Sequence, residues 1–531
     1  MKKNYKFLLS TPLSKRWEKI GIQRRAGIIV PLFFVWSKKS LGIGEIPDLK
    51  LLIDWCKKTK NSILQLLPLN DAGFNFSPYS TQSFFALDPL YLSLRDLKEI
   101  KKEGLENELK ILSKKFLTKT KGVNWKIKGE KLKILWKIFL RRANLKSGKF
   151  KNFIKENDYW LKDYCLYRIL KEKFHEKPWE KWPEVFKNKK AIRKFEKGHR
   201  KEIEFQQWLQ WQLFEQLKEV KSYAKKNGVL LKGDLPWLIS RDSADVWSHP
   251  QYFDLNFSAG APPDAFSKKG QRWGMPSLMW EKIFADNFIY FKEKLKYAEN
   301  FYDLFRIDHA VGIFRIWKIP ISEPLKNKGK NGFFDPKDEK IWERRGQKIL
   351  LAMIKSTKLL PCAEDLGTIP DCCPKVLRKL GISGISVQRW TKNWQIGRFI
   401  RPENYNSLSV ATLSTHDTSN FLDWWENEAS EDEKEDLLKI IFKGKVKKEN
   451  LILKNLEAIN SSKSIFCILL LLEWFFLNDI LKKEPSYYRF NLPGKILKKN
   501  WTLRMPITLE DLLEHPINKR IKEIIKKAKR R

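Results

Sequence analysis

The chain has 531 residues, 42% of them hydrophobic, enough apolar material for a large buried core and a length that an elaborated α/β barrel can reach as one domain. Its 104 Lys+Arg against 62 Asp+Glu give a formal net charge of +42, yet the lysines are spread through nearly every helical stretch instead of forming a patch or arm, so no nucleic-acid partner is expected. Six cysteines (Cys56, Cys165, Cys362, Cys372, Cys373, Cys467) show no metal-ligand spacing, which speaks against a zinc site or a disulfide framework.

The basic start M-K-K-N-Y-K-F-L-L-S has too short an apolar core for a signal peptide. The longest apolar stretch, residues 464–481, carries Glu473 and Asp479 and reads as a buried helix, not a membrane span. A cytoplasmic location is expected.

In chain order, the first strand signal is the continuous apolar run G-I-I-V-P-L-F-F-V (27–35), as expected of a strand buried on both faces. An amphipathic helix near 47–58 and a second strand at 62–69 complete a βαβ unit. Residues 94–227 turn Lys/Glu/Trp-rich with helical periodicity, too long for a loop, and predict a helical insertion. Strand signals resume at V-L-L-K-G-D-L-P (229–236), F-Y-D-L-F-R-I-D-H (301–309), L-L-P-C-A-E-D-L-G (359–367), I-S-G-I-S-V-Q-R-W (382–390) and L-S-V-A-T-L-S-T-H-D-T (408–418). A smaller helical insertion is expected at 426–460, and S-Y-Y-R-F-N-L-P-G (486–494) is taken as the last strand. The count approaches eight, which predicts a (β/α)8 TIM barrel with large helical insertions, one catalytic domain spanning 1–531.

Three of these segments end on carboxylates. In a parallel barrel the strand C-termini converge on one mouth, and two carboxylates facing each other across a glycosidic bond are the minimal apparatus for cutting it. Alternation puts Leu304, Arg306 and Asp308 on one strand face, so a cation lies beside a carboxylate that would need to be ionised to act as a nucleophile. A single Arg–Asp pair is more often a strand-end fastening. Glu364 ends its strand just before Gly367, where burial could raise its pKa into the range of a general acid; otherwise it is a first-turn acid with Asp365 as the cap. His416 and Asp417 form a third polar knot suited to gripping sugar hydroxyls. Each motif is ordinary alone; three at successive strand ends point to sugar chemistry. Among the many aromatics, Tyr79 in F-S-P-Y-S and Phe266 and Trp273 in G-A-P-P-D-A-F-S-K-K-G-Q-R-W-G lie in loop-like sequence, the second a Gly/Pro-rich stretch (260–274) read as an exposed loop over the mouth.

Taken in order, G-D-L-P, S-R-D-S-A-D-V-W-S-H-P, G-A-P-P-D-A-F-S, R-I-D-H, A-E-D-L-G, T-H-D-T and R-F-N-L-P-G resemble the 4-α-glucanotransferases called amylomaltases or disproportionating enzymes, over residues 25–513. The chain departs from the simple bacterial pattern in reading S-P-Y-S-T-Q-S-F-F-A and G-M-P. The resemblance implies a retaining enzyme of the α-amylase-like clan, a barrel without a C-terminal β domain, maltodextrin substrates and no cofactor or metal. It implies Asp308 as nucleophile, Glu364 as acid/base and Asp417 as transition-state stabiliser. Ser77, Tyr79, Asp234, Gln271, Trp273, Arg306, His309, His416 and Asn491 fall on positions resembling substrate contacts, and Phe266 joins them from the loop reading. The expected reaction moves α-1,4-glucan segments between maltodextrins, or to glucose, through a covalent glycosyl-enzyme. Its nearest rival is an α-1,4-glucan hydrolase on the same scaffold; a basic RNA-binding protein on an inactive barrel is a poorer fit, since all three carboxylates are present.

Overall fold

Eight short strands form one parallel sheet: β1 (Arg25–Val30), β2 (Ile63–Leu66), β3 (Leu230–Asp234), β4 (Leu304–Ile307), β5 (Leu360–Ala363), β6 (Gly384–Val387), β7 (Ser409–Thr412) and β8 (Phe466–Leu470). The order in the sheet is β6-β7-β8-β1-β2-β3-β4-β5, every neighbouring pair parallel. Its two edges meet: Cys362 on β5 bridges Ser383 just before β6, and Ala363 N donates to Ser383 O at 2.7 Å. The sheet is therefore a closed barrel. This computed structural model describes residues 2–531 apart from 98, 101–103, 119–121, 188–191, 265–266 and 495–496.

The strands are short and apolar because they are covered on both faces. Ile28, Val30, Leu64 and Leu231 are fully buried, inside a ring that includes helices Leu49–Thr59, Arg200–Lys226, Ile289–Ala298, Trp342–Ser356 and Cys372–Leu380. The final helix, Ile517–Lys527, packs back on Leu49–Thr59, with Trp55 Nε1 donating to Asn518 Oδ1 at 2.7 Å. Between β2 and β3 the described residues include helices Glu106–Ser113, Ile127–Arg142, Gly148–Lys173 and Ile192–Gly198. The last helix before β3, Arg200–Lys226, packs on Leu49–Thr59 as a barrel helix does. Helices Phe421–Asn427, Glu431–Ile440 and Leu451–Ser461 separate β7 from β8.

Three sequence expectations are corrected. The eighth strand is Phe466–Leu470, inside the stretch read as a buried helix; the chain becomes helical only at Leu471–Phe475. A continuous apolar run carries no periodicity with which to tell strand from helix. The segment 486–494 is not a strand: Pro485 opens a 3-10 turn (Pro485–Tyr487), and Phe490 is a buried anchor accepting Trp501 N at 2.7 Å. Finally, the two ends of 260–274 are strand, not loop. Strands Phe253–Ala261 and Gln271–Leu278 pair antiparallel, Gly260 opposite Arg272, within a four-stranded sheet completed by Ile316–Pro320 and Phe333–Asp335. Its glycines and prolines mark a hairpin turn and register shifts.

Candidate functional site

The polar side chains at the barrel mouth come from the C-terminal ends of the strands. Asp234 ends β3, Asp308 follows β4, Glu364 follows β5, and His416 and Asp417 lie in the turn beyond β7. Arg306, on β4 and 11% exposed, ties three of the carboxylates together: its Nη1 lies 3.0 and 2.9 Å from the two Asp234 oxygens and 2.6 Å from Asp308 Oδ1, and its Nη2 lies 3.8 Å from Glu364 Oε2. One guanidinium thereby compensates charges that could not otherwise be buried together.

Strand register sets Asp308 beside Glu364. Ile307 pairs with Ala363, and the ladder runs on: Glu364 N donates to Ile307 O and Ala310 N to Glu364 O, both at 2.9 Å. His309 adopts a left-handed backbone conformation (φ 45°), uncommon outside glycine, and its N–H donates to Glu364 Oε2 at 2.7 Å. Burial pushes the Glu364 carboxyl up to about 8; the Arg306 charge opposes this and the Asp308 charge adds to it. The shift favours the protonated form of Glu364 near neutral pH, while Oε2 accepts from backbone.

A second network hangs on Tyr79, presented by a turn in which Ser80 N donates to Ser77 O at 3.0 Å. The Tyr79 hydroxyl donates to Asp234 Oδ2 at 2.7 Å and meets His416 Nε2 at 2.7 Å; the two rings stack at 5.2 Å. His416 Nε2 is also 3.0 Å from Asp417 Oδ2, while Asn491 Nδ2 donates to Asp417 Oδ1 at 2.8 Å. Burial would raise the Asp417 pKa, but His416, the Asn491 amide and Arg306 outweigh it and hold the group at about 2. Since that carboxylate offers only lone pairs, His416 Nε2 carries a hydrogen.

Trp273 packs edge-on to His309, ring centroids 4.8 Å apart, and its Nε1 donates to Gln271 Oε1 at 3.1 Å. Burial lowers the His309 pKa to about 4, so the imidazole is neutral at neutral pH. Asp234, Arg306, Asp308, Glu364, Tyr79, His416, Asp417 and Asn491 are linked by hydrogen bonds or ion pairs. His309 and Trp273 join through backbone and ring contacts, Gln271 through Trp273, and Ser77 only through the turn that presents Tyr79. Phe266 lies outside the described residues. Among the described residues no group of three or more His, Cys, Asp or Glu side chains is placed to hold a metal ion, and no helix is long and apolar enough to cross a membrane.

The family model described as 4-alpha-glucanotransferase matches residues 30–509. A 4-alpha-glucanotransferase from Chlamydia caviae is 36% identical over 525 residues, covering 98% of each chain. One from Chlamydia pneumoniae is 38% identical over 517 residues, 96% of this chain and 97% of its own. The chain belongs to the 4-alpha-glucanotransferase family. In fold it is similar to an amylomaltase from Streptococcus agalactiae, solved in complex with acarbose: TM-score 0.81, 24% identity, 96% of this chain and 100% of that one.

Two residues of this 4-alpha-glucanotransferase site escaped the sequence reading. Trp501 places its ring 6.2 Å from both Tyr79 and His416; a lone Trp in an aperiodic segment gives no signal beyond its size. Glu473, fully buried just after β8, accepts from Ser414 Oγ and, at 3.0 Å, from Phe421 N, bracketing the T-H-D-T turn. A charged residue inside an apolar run was the available clue, and it bore on the site as well as on the membrane question.

Proposed function

We propose that the transfer of α-1,4-glucan segments between maltodextrins runs in this chain by double displacement on Asp308 and Glu364. In the first step an Asp308 oxygen bonds to the anomeric carbon as the bond to the leaving O4 breaks, and Glu364 gives its proton to that oxygen. A glycosyl ester of Asp308 and a shortened glucan result. In the second step the ionised Glu364 takes the proton of an acceptor 4-hydroxyl, whose oxygen bonds to the anomeric carbon as the ester bond breaks. The α configuration is inverted twice and so retained.

The observation that supports this best is the register of Asp308 against Glu364. Neighbouring strands lie ~4.8 Å apart, and retaining enzymes hold their two carboxyls ~5–5.5 Å apart. The protonated Glu364 suits the acid role, and the ionised Asp417, fixed by Asn491, suits stabilisation of positive charge developing on the sugar ring. Tyr79, Asp234, Arg306, His309, His416 and Asn491 are assigned to the hydroxyls of the sugar being transferred, and Trp273 with Gln271, Ser77 and Phe266 to the neighbouring rings.

We treat the chain as one catalytic domain: Leu135, Tyr164 and Trp208 of the 94–227 region belong to the same apolar cluster as Ile28, Leu64 and Leu231 of the barrel. All six cysteines are free thiols, which suits a cytoplasmic enzyme. Incubation with maltotriose alone tests the reaction: glucose plus a ladder of longer maltodextrins, with almost no net gain in reducing ends, is expected. Reducing ends rising in step with substrate loss, and nothing longer than maltotriose, would make the chain a hydrolase.

A further inference from the structure

The segment carrying Ser77 and Tyr79 leaves the barrel after β2 and returns before Asp88. Its two feet are laced by backbone bonds, Asp71 N to Ala86 O and Asp88 N to Leu69 O, both 2.9 Å, beside an antiparallel bridge of Asn70 with Leu87. Under these feet sits one ammonium from the insertion. Lys128, near the start of helix Ile127–Arg142 and 2% exposed, places Nζ 2.7 Å from Asp71 Oδ1, 2.8 Å from Asp88 Oδ1 and 2.6 Å from Gly73 O. It therefore holds both ends of the loop and the backbone rising toward Tyr79.

The surrounding elements complete the seat. From helix Gly148–Lys173, Tyr164 OH donates to Asp71 Oδ2 at 2.8 Å, and Arg168, 3.8 Å from the same oxygen, donates to Gln82 Oε1 at 2.8 Å on the returning limb while pairing with Glu176. One turn along the Lys128 helix, Lys131, with no exposure, donates to Leu90 O at 2.7 Å and to Glu45 at 2.8 Å. Two fully desolvated lysines on one helix face are not required for helix stability. Burying a charge is costly unless partners compensate, and removing one partner strands the others. What Lys128 grips is specifically the base of the loop whose tip bonds Asp234 and His416.

We infer that Lys128 is a positioning residue for glucan transfer: through Asp71, Asp88 and Gly73 the helical insertion sets Tyr79 between Asp234 and His416. This rests on Tyr79 belonging to the transfer site as proposed above. A small displacement of a positioning group is enough to matter, since ~1 Å can cost ~100-fold in rate.

The test is a double-mutant cycle of K128M and Y79F on maltotriose disproportionation, with far-UV circular dichroism and thermal melts on every variant. Expected is a folded K128M whose kcat/KM is ~10- to ~100-fold below wild type, and a loss from K128M of less than ~3-fold once Tyr79 is already Phe. D88N, which keeps the volume and removes one charge at a foot of the loop, runs through the same cycle should K128M not fold, and the same non-additivity is expected. A K128M or D88N protein that is folded and turns over as wild type overturns the inference. So does an equal loss in both backgrounds, which would make Lys128 a general stabiliser with no route through Tyr79. A Y79F protein as active as wild type would instead remove the Tyr79 assignment itself, and this inference with it.

Discussion

Glu364 accepts the His309 backbone N–H on Oε2 at 2.7 Å, so the carboxyl that follows β5 is tied to the residue after Asp308 at the end of the neighbouring strand. The donor is a backbone N–H and the acceptor is the Glu364 side chain. It is the Glu364 proton that pH can remove. Since this carboxyl is raised to about 8, kcat/KM should fall as pH rises through about 8, reporting loss of the acid in the free enzyme. E364Q should lower turnover of maltodextrins by ~10²–10⁴-fold while still cleaving an α-maltosyl fluoride donor, whose leaving group needs no proton. Single-turnover rates of the first step on the two donors, read as fluoride or shortened glucan released per enzyme, check this; equal losses on both would count against the acid role.

The same carboxyl carries a stability prediction. A folded-state pKa raised above the unfolded value contributes stability that is full below about 4.5 and lost as pH rises through about 8. The amide of E364Q does not titrate in this range. E364Q should therefore match wild type near pH 4.5 and exceed it by pH 8.5, by a margin on the order of a few kcal/mol. Denaturant melts at the two pH values give the difference; a gap that shrinks as pH rises would contradict the raised pKa.

Removing the Asn491 amide should leave Asp417 short of a charge-assisted donor. Such bonds are worth ~1.5–3 kcal/mol, so N491A should lose ~10- to ~100-fold in kcat, KM should move far less, and any acid limb set by Asp417 should shift to higher pH. Steady-state kinetics across pH measure all three.

Much of this site was legible because its chemistry sits at strand ends. The runs ending in R-I-D-H, A-E-D and T-H-D-T are continuous and apolar, so the strands and their terminal carboxylates could be found together, and strict alternation placed Arg306 and Asp308 on one face, where they form a 2.6 Å ion pair. The eighth strand was not legible: F-C-I-L-L flows into L-L-E-W-F without a break, and length favoured helix. Nor was the seat of the Tyr79 loop. Lys128 and Lys131 look like two more of the chain's many solvated lysines, and only folding brings them to Asp71, Asp88 and Glu45, 40 to 86 residues away in sequence.

Trp273 is the residue on which transfer and hydrolysis should divide. It stands edge-on to His309, the residue after Asp308, on a strand of the Phe253–Ala261 and Gln271–Leu278 pair. Loss of an aromatic contact worth ~0.5–1.5 kcal/mol predicts a ~2- to ~10-fold rise in the acceptor concentration W273A needs. Water should capture more of the intermediate, so the hydrolytic share of turnover rises. Reducing-end and ladder assays on the same digest give the ratio; a W273A protein with the wild-type ratio would take Trp273 out of acceptor capture.

The central claim is a covalent sugar on Asp308. Incubating E364Q with an α-maltosyl fluoride in the absence of an acceptor should let the first step proceed and starve the second of its base, so the intermediate accumulates. Intact-protein mass spectrometry should then show a gain of one maltosyl unit, and peptide mapping should place it on Asp308. A label on any other residue, or turnover through an unlabelled protein that releases the β-anomer, would contradict the account.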